Sequence, residues 1–297
     1  MLLMASSALA TSVSPALIDL EGARSEVLQS TFTLINSDDQ EQTYYFSTIK
    51  FVPREESGKP EFISPDVDKS GLPEWIEFIS QSVRVPAHSQ GQVPFEVAIP
   101  ADVQSGGHYA AIVVSDAPSD VVASNGASIQ AKTAILLFLT VKGETVESLE
   151  VLDVLFDQEG EIVSQISSVV AVRMQNQGNV HVTPEIQFEV TDAFGRTVES
   201  VDGNESMGRI LPGSSREFSA RLGAGGKTGF FSVAVDGLAS FAIGPMTMET
   251  TVSYGETTYS ETATFWLVPW QLLFIIFVAV GSLLGVVKML KRKKNER

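Results

Sequence analysis

This sequence predicts an all-β architecture: two tandem immunoglobulin-like β-sandwiches followed by one C-terminal transmembrane α-helix. Three observations support it. Apolar residues recur at every second position through most of the chain, turn-forming clusters interrupt them at short intervals, and one charge-free apolar run stands near the C-terminus.

The elements follow in order. Met1 to Ala10 ends in Ala8-Leu9-Ala10, the small-residue pattern of a signal-peptidase site, but it has no basic n-region and only a short apolar stretch. Residues 1–11 are therefore read as a partial signal peptide, the alternative being an unstructured tail. The first sandwich is assigned to 12–143 and the second to 144–265. Val180, Val182, Pro184, Ile186, Phe188 and Val190 alternate with polar residues, as they would on a strand with one wet face. Val93, Phe95, Val97 and Ile99 repeat the pattern and stop at Pro100, and Val170, Val172 and Met174 run into the turn Asn176-Gln-Gly-Asn179. Ile135 to Val141 is apolar on both faces apart from Thr140, which predicts a central strand. Seven or eight strands in each half match the size of an immunoglobulin-like sandwich.

Between Glu261 and Lys288 there is no charged residue, and Trp266 to Val287 (266–287) reads as a membrane-spanning helix. At ~1.5 Å rise per residue it would be about 33 Å long, enough to cross a bilayer. Trp266 and Trp270 stand at one border, and Lys288, Lys291, Arg292, Lys293, Lys294 and Arg297 follow the other in a basic tail, 288–297. Positive charge on this side predicts a single-pass type I protein in the cell membrane, with its body extracytoplasmic and its tail cytoplasmic.

Charge excludes one class of partner. The chain carries 36 acidic and 20 basic side chains, a formal net charge of -16, and phosphate backbones are bound by clustered Lys and Arg, so no nucleic-acid partner is expected. With no cysteine there is no disulfide, thiolate metal site or thiol nucleophile.

Catalytic signatures are sparse. Neither HExxH nor GxSxG occurs. Arg221-Leu-Gly-Ala-Gly-Gly-Lys-Thr228 resembles the end of a phosphate loop, but Arg221 replaces its first glycine and the following Phe230 to Val233 reads as strand, so a turn is the better reading. His88, His108 and His181 stand alone in sequence. One near-motif is closer to a site: Asp66, Asp68, Ser70, Glu74 and Glu77 hold the first, third, fifth, ninth and twelfth positions of a calcium loop, with Gly71 sixth. Pro65 and Pro73 and the absence of flanking helices favour a solvated turn instead. Asp66, Asp68, Ser70 and Glu77 are the weak metal candidates, calcium is the only cofactor to consider, and no catalytic residue is assigned. Asn204-Glu205-Ser206 is formally an N-glycosylation acceptor.

A resemblance adds to this reading. Ser14-Pro15-Ala16, Phe32 to Asn36, Leu72-Pro73-Glu74-Trp75-Ile76, Val83-Arg-Val-Pro86, Val93 to Pro100 and Gly106 to Ile112 resemble, in this order, the peptidoglycan-binding domain of the WxL-interacting surface proteins of Gram-positive bacteria. Asn176 to Val182, Asp192-Ala-Phe-Gly195 and Ile210-Leu-Pro-Gly213 look like that family's following domain, associated with host binding. The resemblance implies a cell-surface adhesion protein and carries over no binding residue. Trp75 is the position best suited to stack on a sugar, or else to plug the sandwich end.

Three functional readings follow. The first is a non-enzymatic, membrane-anchored surface protein whose sandwiches bind cell-wall polymer or a surface or secreted protein partner. The second is a membrane-tethered structural or chaperone-like assembly factor for secreted proteins, marked by an exposed edge strand. The third is an enzyme using scattered carboxylates.

Overall fold

A computed structural model describes residues 12–54, 58–118, 132–223, 229–240 and 242–295. The expected signal peptide, 1–11, lies outside them. The chain is mostly β, with two immunoglobulin-like sandwiches and one C-terminal apolar helix. It divides into two compact units. Unit 1 runs to Ser148 and also takes in Asn176–His181 and Leu211–Ser214, while unit 2 holds the remainder from Leu149. The expected boundary near Gly143 thus falls a few residues early, and two turns from the second half of the sequence group with unit 1.

In unit 1, one sheet has the order β1 (Ser12–Ser14), β3 (Val27–Asn36), β8 (Ser89–Ala98), β6 (Ile76–Phe78). The other has the order β2 (Leu17–Gly22), β10 (Lys132–Val141), β9 (Gly106–Ser115), β4 (Gln42–Arg54), with β5 (Lys59–Ile63) and β7 (Ser82–Val85) sharing the far side of β4. The chain passes from the first sheet to the second at Pro15, whose peptide bond is cis, and β2 then runs parallel to β10. Alternation decides the core: Val93, Phe95, Val97 and Ile99 from one sheet meet Ile112, Leu137 and Leu139 from the other, all buried. Phe32 packs edge-on against Phe46 at 5.6 Å between ring centroids. Each such side chain contributes about 1.5–3 kcal/mol through burial.

A buried asparagine ties the end of β3. Asn36 Nδ2 donates to the carbonyls of Gln40 (2.9 Å), Val85 (2.9 Å) and Pro86 (3.0 Å), and its Oδ1 accepts from the Asp38 N–H at 3.0 Å. Asn176 repeats the device, with Nδ2 donating to the Val180 carbonyl at 2.7 Å and Oδ1 accepting from the Gly178 N–H at 2.8 Å. The ends of β3 and of the strand that stops at Asn176 therefore share a turn chemistry that no aligned sequence repeat announces.

Unit 2 has a three-stranded sheet, β11 (Leu149–Phe156), β13 (Ser168–Asn176), β16 (Ser215–Leu222). Its five-stranded sheet has the order β12 (Ile162–Val163), β18 (Thr257–Leu267), β17 (Gly244–Tyr254), β14 (Glu185–Asp192), β15 (Thr197–Asp202). The alternation from Val182 to Val190 holds in space: Val182, Pro184, Ile186, Phe188 and Val190 are buried, although the regular strand starts only after Pro184. Proline lacks the N–H a ladder needs, which explains the late start.

Two expectations are corrected here. Phe230 to Val233 is not strand but the start of a helix, α2 (Phe230–Ser240). Its aromatic and β-branched residues favour strand by propensity, but one helical face carrying Val233, Ala234 and Gly237 is buried, and packing overrides a weak local preference. The C-terminal helix, α3 (Trp270–Asn295), starts four residues later than expected. Trp266 and Leu267 instead close β18, where Ala263, Phe265 and Leu267 face the core and Trp266 faces out. From Trp270 to Arg292 the helix is long and apolar enough to cross a membrane, and its apolar window is not buried against the rest of the protein.

Candidate functional site

The calcium-like loop is not assembled. Asp68 is held by Lys50, whose Nζ stands 2.6 Å from Oδ2, and its Oδ1 accepts from both the N–H and the hydroxyl of Ser70. These bonds, the Lys50 one foremost, hold the Asp68 carboxyl well below the usual carboxylate range. A lysine ammonium thus sits where a cation would have to bind. Glu77 lies on β6, opposite Glu96 of β8, and Asp66 is exposed on the preceding turn. Among the described residues no three His, Asp or Glu side chains are grouped so as to hold a metal.

The other singled-out residues are also placed apart. Trp75 closes the one-turn helix α1 (Leu72–Trp75) and packs on the core of unit 1, its ring 4.8 Å from that of His108. His108 Nε2 lies 3.0 Å from the Gln104 carbonyl, and His88 Nε2 lies 2.9 Å from the Asp39 carboxylate. His181 is largely buried within unit 1 against the rings of Tyr109 and Phe138. Residues 224–228 of the phosphate-loop-like segment lie outside the described residues. The helix that follows them removes one objection to that reading, but Arg221 still replaces the first glycine.

Asn204 is no open glycan acceptor. Its side chain is buried, with Nδ2 donating to the carbonyls of Pro184 (2.7 Å) and Gly208 (3.0 Å) and Oδ1 accepting from the Gly208 N–H. It forms one wall of an open cleft of about 500 Å³ in unit 2, where Glu185, Asp202 and Glu205 face Gln187, Thr251 and Ser253. Among the described residues no basic side chain or histidine lines this cleft, so it offers carboxylates without a cationic or imidazole partner.

The feature that periodicity could not reveal is an open strand edge. β18 pairs with β17 in eleven consecutive register positions, Thr257 to Leu267, without a bulge. On its other side β12 covers only Trp266 and Leu267, and the adjoining loop reaches Thr264, whose carbonyl accepts from the Gly160 N–H at 2.7 Å. Thr264, Trp266 and Val268 direct their main-chain groups to that side, since Trp266 N donates to Glu161 O and Val268 N to Val163 O. Main-chain direction alternates along a strand, so Thr258, Ser260 and Thr262 point the same way. Among the described residues no strand pairs with them on that side.

This edge carries little of the usual protection. Folded proteins blunt edges with charged residues (Lys above all), Pro or bulges, and Thr257-Thr-Tyr-Ser-Glu-Thr-Ala263 has one charge, Glu261, and no Lys, Pro or bulge, while its Thr and Tyr favour strand. Thr257 to Thr262 are exposed along the whole stretch. Among the described residues a second open stretch is Val27 to Phe32 of β3, since β1 pairs with Thr33 to Ile35.

No family model matches the chain, and no curated protein matches it. Solved structures resemble it in fold. The class 5 fimbriae chaperone CfaA has a TM-score of 0.44 at 11% identity, covering 85% of this chain and 98% of its own. A chaperone-tip adhesin complex of CFA/I fimbriae biogenesis has a TM-score of 0.42 at 10% identity, with 86% and 99% covered. The E. coli chaperone DraB has a TM-score of 0.39 at 13% identity, with 86% and 98% covered. No residue role follows from likeness at this level.

Proposed function

We propose that this chain is a non-enzymatic, membrane-tethered module that engages a secreted or surface protein by strand addition, in the manner of an assembly factor. The observation that carries the proposal is the open edge of β18, which has a single charge, Glu261, and no Lys, Pro or bulge. Extended segments add to such edges through main-chain hydrogen bonds, with side-chain pockets adding selectivity. The N–H and C=O groups of Thr258, Ser260 and Thr262 supply the bonds, and the polar side chains around them suit a partner whose own sequence supplies the apolar contacts. The tether is α3, whose C-terminal turns carry Lys288, Lys291 and Arg292, which keep the tail in the cytoplasm and the sandwiches outside it.

The wall-polymer ligand implied by the resemblance to WxL-interacting proteins has less support, because Trp75, the position best suited to a sugar, packs on the core. Photo-crosslinking in the native cells separates the two. A photoreactive residue at Thr262 should capture a discrete secreted or surface protein, and one at Phe194, an exposed turn residue, should not. Retention of the chain on purified cell wall with no protein adduct from Thr262 would overturn the proposal.

A further inference from the structure

The first helix of unit 2, α2, is apolar on the wrong side for a helix in water. Val233, Ala234 and Gly237 of α2 are buried, yet Phe231, Val235 and Leu238 are 75%, 63% and 57% exposed. These last three are spaced i, i+4, i+7, which places them on one stripe. A helix on the surface of a globular domain carries polar residues on its outer face. Here the outer stripe is apolar, and exposed Ile243 follows it.

The face of α2 next to this stripe docks on the start of α3. Phe230 packs edge-on against Trp270 at 5.7 Å and Phe274 at 6.1 Å, in the first turns of the C-terminal helix. Gly237 faces Pro269 so closely that a Cβ there would stand 2.8 Å from the proline Cβ. These contacts hold α2 beside the start of α3, next to exposed Trp270, Leu273 and Phe274. If α3 crosses the bilayer, these α3 residues lie at its outer boundary, where indoles concentrate.

We propose that α2 lies in the interfacial layer of the outer leaflet as a second membrane contact, with Phe231, Val235 and Leu238 embedded among the lipid chains. Helices of this kind lie in the plane of the interface with one apolar face inserted. A single spanning helix leaves its domain free to rotate about the helix axis, and a second lipid contact beside it removes that freedom. α2 contains no Lys or Arg, so the insertion depends on apolar area and on tethering, and neutral lipid is sufficient for it.

The inference rests on α3 spanning the bilayer, and the experiment separates the two. The chain has no cysteine, so each single substitution gives one labelling site. The full chain, carrying F231C, V235C, L238C, V280C or F194C, is spin-labelled and reconstituted in phosphatidylcholine nanodiscs. Collision rates with oxygen, which partitions into lipid, and with a water-soluble nickel chelate are then measured. The three α2 sites and Val280 should show oxygen-to-nickel ratios severalfold above that of Phe194. Lipid exposure at Val280 with Phe194-like ratios on α2 would overturn the inference and leave the anchor intact. A water-exposed Val280 would overturn both. Shielding of the α2 sites from both reagents would show that protein covers the stripe, which also overturns the inference.

Discussion

Replacing Ser260 by proline tests the open edge of β18 with little disturbance to the fold. The Ser260 N–H points away from β17, so its loss removes no ladder bond, and proline is tolerated on edge strands where the missing N–H faces outward, at a cost below ~1 kcal/mol. A docked strand would lose the Ser260 donor, worth about 1 kcal/mol. The ring would also occupy the space of the incoming carbonyl and stretch the flanking bonds of Thr258 and Thr262, for a total of about 2–3 kcal/mol. That corresponds to roughly 30- to 150-fold weaker binding. The neighbouring substitution Glu261→Pro does the reverse: its N–H faces Thr250 of β17, and losing that bond costs unit 2 about 2 kcal/mol or more. Photo-crosslink yield from Thr262 in cells and thermal unfolding of the solubilised full chain give the two readouts. Ser260→Pro should remove the adduct and keep the melting temperature, and an undiminished adduct from a folded S260P protein would refute the reasoning.

Three further outcomes follow from the geometry. Asn36→Ala should destabilise unit 1 by about 3 kcal/mol, since it removes a buried side chain bonded to three carbonyls and one N–H; faster hydrogen exchange around Val85 to Ser89 checks this. Lys50→Met should raise the Asp68 carboxyl back toward about 4, its usual value, as followed by carboxyl-carbon NMR titration. Because the folded-state value is depressed, the contribution of this pair is present at neutral pH and is lost as pH falls through the folded value, so the variant should lose part of the acid dependence of unit 1. The hydroxyl variant Ser70→Ala should move Asp68 less, because the Ser70 N–H remains. In a glycosylating host, mass spectrometry of the folded fraction should find Asn204 unmodified, because its amide is buried and bonded to Pro184 and Gly208.

Strand faces were legible because alternation is a local property. Each residue turns its side chain to the opposite face from the last, so the buried residues of β8 and β14 could be read directly. The turns at Asn36 and Asn176 were legible only as turns; their shared role appears when the distant carbonyls of Val85 and Pro86 arrive beside Asn36. The acidic spacing of Asp66, Asp68 and Glu77 suggested a cation loop because Lys50 lies on another strand, invisible to any local motif. Trp266 was assigned to the helix because a charge-free run hides the point at which period two gives way to period 3.6. α2 was misread because its residues favour strand, and docking against Pro269 and Trp270 makes it helix.

The sequence by itself determined the class of the protein: two sandwiches without disulfides, an acidic body, and one charge-free helix with a basic end. Each depends on composition or on near-neighbour spacing. The tertiary structure alone decided which polar groups are already engaged and which surfaces remain open. Lys50 takes Asp68, Asn204 is sealed into its own turn, β12 stops short of covering β18, and α2 turns an apolar stripe outward beside α3. The reason is physical: a strand edge or helix face is open or covered according to elements far away in the chain, and only folding brings those elements beside it.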